Sequence, residues 1–546
     1  MGITSPGIGS GLDVKALVAA YVRAETVPLQ IRHDNQLKDV NTELSAVGQL
    51  KSSLSSLQTS LANLSDLSQM YTMKYNVSEP DYLTATVTNQ ANKGSYQIEV
   101  QKLAQQQSLA SGYIPDVSNV GSGTITIAFG TYNVGKTTFT ANADATPVTI
   151  NVAPGSGSLV GIRDAINSSG SGLSAAIVED NQGTRLTITS SQTGENYSMK
   201  ISGGVTALNY DPTTGVNSLT ETVEGQNSLV KINGLSLSQS SNELKTGISG
   251  ATLTLKKAEI GKTFTFTISD NKDQLTNLVN DFIKKYNDSM TLLTNLTGYS
   301  SELKKGALYQ GDPQFRSIKL NLSKWATSPM SNTNSSIKSL ADLGITTNKD
   351  GLLEIKERDK EKNTKAFSTY YNEIGVLFGK SANTTDANVR INSVAPTVKA
   401  GSYDVVLSAY TPGVSMTGTI GDLTATSTDG YTLKGSGKFS GLSVNVLSGS
   451  TGARGKVVVS DGFAVLMKNY LDTYVGTKGD LNQRTDQLNK QVTLLAKTQE
   501  SINAKGASVE ARYTKQFNAL DVLLSQLTGT SNSLTQQLAS LPGLKI

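Results

Sequence analysis

Apolar residues near both ends of the chain recur with helical spacing. Leu37, Val40, Leu44, Val47, Leu50, Leu54, Leu57, Leu61 and Leu64 return every three or four positions, which puts them on one stripe of an amphipathic helix. Towards the other end, Leu481, Leu488, Val492, Leu495, Ile502, Val509, Tyr513, Phe517, Leu520, Leu524, Leu527, Leu534, Leu538 and Leu541 keep similar spacing, as a coiled-coil seam does. Between Tyr75 and Ile268 the period changes to two, as in Tyr96-Gln97-Ile98-Glu99-Val100 and Phe264-Thr265-Phe266-Thr267-Ile268, with Gly, Asn and Ser turns between the runs. Helical spacing resumes at Leu275, Leu278, Val279, Phe282 and Tyr286, with Asp270 as the expected cap, and continues in patches to Phe378. A second alternating block runs from Ala382 to Val459. Its Lys399-Ala400-Gly401-Ser402-Tyr403-Asp404 echoes Asn92-Lys93-Gly94-Ser95-Tyr96-Gln97, the sign of an inserted, duplicated domain.

This order predicts an α+β multidomain fold: terminal coiled-coil helices and a helical stem, with β-rich head domains inserted. The expected divisions are an N-terminal export and assembly segment with helix (1–40) and a helical stem from 41–74 with 269–380 and 460–504. An inner β-rich head domain (75–112 with 222–268), an outer one (113–221), an inserted β-rich domain (381–459) and a C-terminal coiled-coil helix (505–546) complete the chain. Insertions of this kind are tolerated because closure entropy grows only logarithmically with loop length.

Composition narrows the function. A chain of 546 residues exceeds one compact core. With 48 basic and 44 acidic residues and no cationic run, nucleic acid is not an expected partner. The absence of cysteine removes disulfides, thiolate metal sites and thiol nucleophiles. The start lacks a cationic region followed by an apolar core, so no cleaved signal peptide is expected. No stretch has the length for membrane insertion.

Candidate chemistry is sparse. Gly130-Thr131-Tyr132-Asn133-Val134-Gly135-Lys136-Thr137 matches the phosphate-loop pattern, but such a loop must open a helix whose aligned N–H groups hold the anion. Here Thr138-Phe139-Thr140-Ala141 alternates, and a hairpin is expected. Gly155, Gly157 and Gly161 lack the βαβ context of a dinucleotide loop. The single histidine, His33, has no second histidine to complete a metal pair and is expected at the solvated surface. Trp325 is expected as a stem core or interface anchor. No catalytic residue, cofactor or metal is assigned.

Several separate segments resemble the flagellar hook-associated protein 2 (filament cap) family. They are Gly7-Ile8-Gly9-Ser10-Gly11-Leu12-Asp13 with Leu17-Val18; Leu159 to Asn167 with Arg185-Leu186-Thr187-Ile188-Thr189; Val230-Lys231-Ile232-Asn233-Gly234; Leu340 to Ile345 with Asp350-Gly351-Leu352-Leu353; and Arg512-Tyr513 through Leu534 to Leu538. Lys356 stands where an acidic residue is more usual, and 382–459 has no counterpart in the smallest caps. The resemblance implies a secreted, non-enzymatic protein exported through the flagellar type III apparatus, which caps the filament tip as a homo-oligomeric ring, with a pentamer expected. It implies flagellin, the hook-filament junction proteins and an export chaperone at the C-terminal helix as partners. The expected self-assembly interface is Leu12, Leu17, Val18, Val509, Tyr513, Phe517, Leu520, Leu524, Leu527, Leu534 and Leu538, whose helices gain order on association. Three alternatives stand beside this reading: an adhesin binding host glycans or mucin through the head, a trimeric tail-fibre-like protein, and NTP hydrolysis at Lys136.

Overall fold

The computed structural model describes residues 13–170, 172–300, 305–330 and 335–540. Gly7 to Leu12 and Leu541 lie outside the described residues. The N-terminal helix is a single element, Val14–Ser65, so the division expected at residue 40 falls within it. Asp13 caps it by accepting the Ala16 N–H at 2.9 Å, which satisfies one of the donors that a helix start leaves unpaired. Pro28 lies inside, where a missing N–H and a ring clash ordinarily cost about 3 kcal/mol. The C-terminal helix, Asp480–Ala539, likewise runs unbroken through residue 505.

The two helices pair antiparallel. Tyr21 stacks on Tyr513 with ring centroids 4.5 Å apart, Gln30 meets Gln499 at 2.7 Å, and Gln58 reaches Asp472 in the helix that precedes the C-terminal one. Deeper in the stem, Val47, Leu50, Leu54, Leu57, Leu61 and Leu64 are fully buried. Leu275, Val279, Phe282 and Tyr286 of helix Lys272–Thr297 are buried in the same way, as are Met467 and Leu471 of helix Phe463–Val475. Phe282 meets Phe463 and Phe378 edge-on, at 5.4 and 6.5 Å. Arg484 pairs with Asp312 at 2.7 Å and lies over the rings of Tyr309 and Phe315. Trp325 is half-buried on helix Pro313–Thr327. Asp270 is not the cap of helix Lys272–Thr297: it ends a strand and pairs with Lys93 at 2.6 Å, while Asn271 Oδ1 accepts the Gln274 N–H at 3.2 Å.

Residues 71–274 form a separate compact unit with two apolar cores. The inner core gathers Leu83, Ile98, Val100, Val230, Leu253, Phe264 and Phe266 between two antiparallel sheets of five and three strands. The outer core gathers Ile125, Ile127, Ile162, Ile166, Leu186, Ile188 and Met199. Leu109 also belongs to the outer core, because strand Gln106–Ser111 pairs with Gly183–Thr193 and Leu219–Val223. The chain therefore crosses between cores at the Gln105–Gln226 bridge, not at 112 and 222 as the sequence suggested.

Residues 380–461 form one eight-stranded antiparallel sheet. Its two edge strands, Lys380–Thr384 and Val389–Ser393, are consecutive in the chain. Eight flat strands would hold those edges about 34 Å apart, whereas the five Cα steps between Thr384 and Val389 span at most about 19 Å. The sheet therefore curls back on itself around Val405, Leu407, Ile420, Leu433, Phe439, Val444 and Val457.

Candidate self-assembly interface

The proposed interface residues fall on a gradient along one helix. Val509 is buried against the N-terminal helix. Tyr513 and Phe517 are half-buried, with Tyr21 seated against both rings. Arg512 and Lys505 flank this aromatic contact and reach Glu25 at 2.6 and 3.8 Å. Beyond Phe517 burial fades. Leu524 is half-buried, while Leu520, Leu527, Leu534 and Leu538 are exposed, Leu527 by 64%. Val522 and Leu523 are exposed as well and widen the apolar face; they lie between the seam positions Leu520 and Leu524, off the three-or-four spacing that marks a single stripe.

Helix length explains the gradient. From Phe517 to Ala539 the C-terminal helix extends roughly 33 Å at 1.5 Å per residue. Antiparallel to it, the N-terminal helix has only Val14 to Tyr21 left, roughly 10 Å. Among the described residues, most of the extension has no helical partner to cover its leucines. Val18 is buried and Leu17 half-buried. With Val14 and Val22 on one side and Glu510, Thr514 and Asn518 on the other, Val18 lines a groove of about 600 Å³. Leu12 lies outside the described residues.

Behind this end lies a polar layer that sequence reasoning misjudged. His33 is buried, not solvated. Its Nδ1 lies 3.0 Å from Asp34 Oδ1 and its Nε2 3.1 Å from the Leu495 carbonyl oxygen. Gln30 and Gln499 exchange hydrogen bonds one turn away. Polar groups inside an apolar seam fix the register of paired helices, because any slip leaves them without partners.

The two glycine-rich segments sit in settings other than their motifs require. Gly130 to Thr137 turns a hairpin in which Tyr132 pairs with Phe139. Lys136 takes a positive φ of 50° and its ammonium pairs with Glu221, so no helix N-terminus stands there to hold a phosphate. The helix that follows Gly155 and Gly157 and contains Gly161 is capped by Ser158 and belongs to an antiparallel domain. Among the described residues no three His, Asp or Glu side chains gather to hold a metal, and no helix is long and apolar enough to cross a membrane.

A helical stem closed by its own two ends, with β-modules set into the chain and an apolar stripe left over on one helix, defines a structural assembly protein. The family model described as flagellar hook-associated protein 2 C-terminus matches residues 225–529, and that described as its N-terminus matches residues 10–107. The first alone covers more than half of the chain, which therefore belongs to the flagellar hook-associated protein 2 family. The B-type flagellar hook-associated protein 2 of Pseudomonas aeruginosa is 28% identical, over 98% of this chain and 98% of the relative. Flagellar hook-associated protein 2 of Escherichia coli is also 28% identical, with the same coverage of each chain. The crystal structure of the D1–D3 domains of the E. coli flagellar cap protein shares the fold, with a TM-score of 0.56 and 24% identity over 81% of this chain and 99% of that one.

Proposed function

We propose that this chain caps the tip of the bacterial flagellar filament, as its family does, and works there as a homo-oligomeric ring, with five copies expected. The reading is carried by one observation: the C-terminal helix outruns its partner and leaves Leu520, Val522, Leu523, Leu527, Leu534 and Leu538 uncovered. Side chains of this size each gain about 1.5–3 kcal/mol on burial, and a neighbouring copy offers the same stripe. Heterologous packing of each stripe against the next copy, repeated around one cyclic axis, closes a ring without new chemistry.

In this reading the protein acts by position. It leaves the cell by type III flagellar export and stands extracellularly at the filament tip, where arriving flagellin folds in the space between subunits. The hook-filament junction proteins are its earlier neighbours, and an export chaperone covers the C-terminal stripe before secretion. No bond is made or broken, and none of the matched families, relatives or structures supports the adhesin alternative. The test is the solution mass of the full chain against a chain lacking residues 518–546, a cut that leaves every buried stem residue in place. The full chain is expected as a ring and the shortened one as a monomer; rings of equal mass from both would overturn the reading.

A further inference from the structure

Residues 380–461 repeat the inner head domain strand for strand. In the inner domain the strands order as 73–77, 263–270, 94–102, 228–232 and 235–239 in one sheet, and as 243–244, 251–255 and 83–87 in the other. In the second insert the order is 380–384, 452–461, 401–411, 415–420 and 423–427, continued by 432–435, 443–446 and 389–393. All eight strands correspond in chain order, and every pairing of the inner domain recurs; the second insert adds one, between 423–427 and 432–435, which joins its strands into a single sheet.

Single bonds correspond as well. Tyr96 Oη donates to the Asn92 carbonyl at 3.0 Å, and Tyr403 Oη to the Lys399 carbonyl at 2.8 Å. The Asn233 N–H donates to the Gln97 carbonyl and the Gly421 N–H to that of Asp404; the Thr88 N–H donates to the Gly250 carbonyl and the Ala395 N–H to that of Gly441. Leu244 pairs with Leu253 as Leu433 pairs with Val444.

The copies differ at one end. In the inner domain the connection after strand 94–102 carries the whole outer domain, which closes over that end: Thr193 Oγ1 donates to the Ser240 carbonyl at 2.5 Å, and Glu195 N–H to Asn227 at 3.0 Å. In the second copy the same connection is the short turn at 412–414, and among the described residues no inserted domain follows that strand to cover the end. Three large apolar side chains gather there instead. Val414 is 61% exposed, Tyr431 57% and Leu447 51%. They are contiguous, since the turns at Gly413 and Gly430 touch and the Val446 N–H donates to the Tyr431 carbonyl.

This end is also held rigid. Buried Arg454 ties Asp386 at 2.7 Å to the Ser448 carbonyl at 2.7 Å. Asp429 accepts the N–H groups of Thr432 and Tyr431, each at 2.8 Å, so the turn that presents Tyr431 is set before any partner arrives.

We infer that residues 380–461 are a second copy of the inner head domain, and that its Val414–Tyr431–Leu447 end docks a second copy of this chain within the ring. The inference rests on the ring reading above. A patch of three side chains is too small to hold a free partner against the entropy of association, so its occupant must already be tethered nearby. A neighbouring subunit gathered by the terminal helices meets that condition.

The test uses the full-length chain with Tyr431 replaced by the photo-reactive p-benzoylphenylalanine, assembled from equal parts of ¹⁴N- and ¹⁵N-labelled protein and irradiated. Cross-linked peptides that carry both isotopes are expected. Cross-links of single isotope only, or none in a sample whose mass shows a ring, overturn the docking surface and leave the cap reading standing. A sample that forms no ring overturns both. Independently, V414S/Y431S is expected to raise the concentration at which the ring dissociates by about tenfold, the effect of one contact at the centre of an interface, with its melting curve unchanged; an unchanged dissociation midpoint contradicts the inference.

Discussion

The imidazole of His33 joins the two terminal helices: its Nε2 stands 3.1 Å from the carbonyl oxygen of Leu495, 462 residues further along the chain. The bond spans the seam at the polar layer and fixes which turns of the helices face each other. His33→Leu removes it while filling the space, and is expected to lower stem stability by about 1 kcal/mol. His33→Ala also leaves a cavity, for a total of about 2–3 kcal/mol. Thermal unfolding followed at 222 nm checks the order; equal midpoints for the two variants would contradict it.

The Asp312–Arg484 pair makes the stem sensitive to acid. Burial alone would raise the Asp312 pKa, but hydrogen bonds from Arg484 and from the Phe315 and Gln314 N–H groups outweigh it and hold the carboxyl below its ordinary value. A group depressed on folding stabilises fully above its unfolded pKa, about 3.9 for Asp, and that contribution is lost as pH falls through the folded value. Asp312→Asn is therefore expected to cost about 1–3 kcal/mol at pH 7, with the gap from the wild type closing below pH 3. A gap that stays constant with pH would count against this assignment.

Leucines on the two terminal helices should respond differently. Leu57 is fully buried, and Leu57→Ala is expected to cost about 2–5 kcal/mol. Leu527 is exposed, and Leu527→Ser is expected to change the melting curve by less than about 0.5 kcal/mol while weakening the ring seen by sedimentation. A Leu527→Ser chain that unfolds early would show that this helix face is already covered within one subunit.

Much of this architecture was legible in the chain, and the misreadings share a cause. Helical stripes such as Leu50, Leu54, Leu57 and Leu61 are written in local spacing, and so are strands such as Tyr96 to Val100. His33 lies on α-helix beside Asp34 with polar neighbours, and its partner is nearly the whole chain away; only pairing of the helices buries it. Asp270 and Asn271 both suit a helix cap, and the choice falls to Asn271 because Lys93 holds Asp270 at the strand end. Strand Gln106–Ser111 alternates like its neighbours, so no local signal tells which core Leu109 joins. The domain repeat shows only at Gly-Ser-Tyr, because elsewhere the copies share the pattern of burial and not the residues.

The Lys136 turn offers a direct check on the absence of nucleotide chemistry. Lys136→Ala removes a partly exposed ion pair to Glu221, worth about 1 kcal/mol or less. Calorimetric titration with ATP and magnesium is expected to show no binding in wild type or variant, with ring mass unchanged. Binding that the variant abolishes would reopen the phosphate-loop reading.

The most direct measurement is hydrogen exchange of residues 518–538, in a sample shown by mass to be monomeric and again in the assembled ring. The uncovered stripe should leave these amides in fast exchange in the monomer and strongly protected in the ring. Strong protection in the monomer, or fast exchange in both states, would show that the C-terminal helix does not depend on neighbouring subunits.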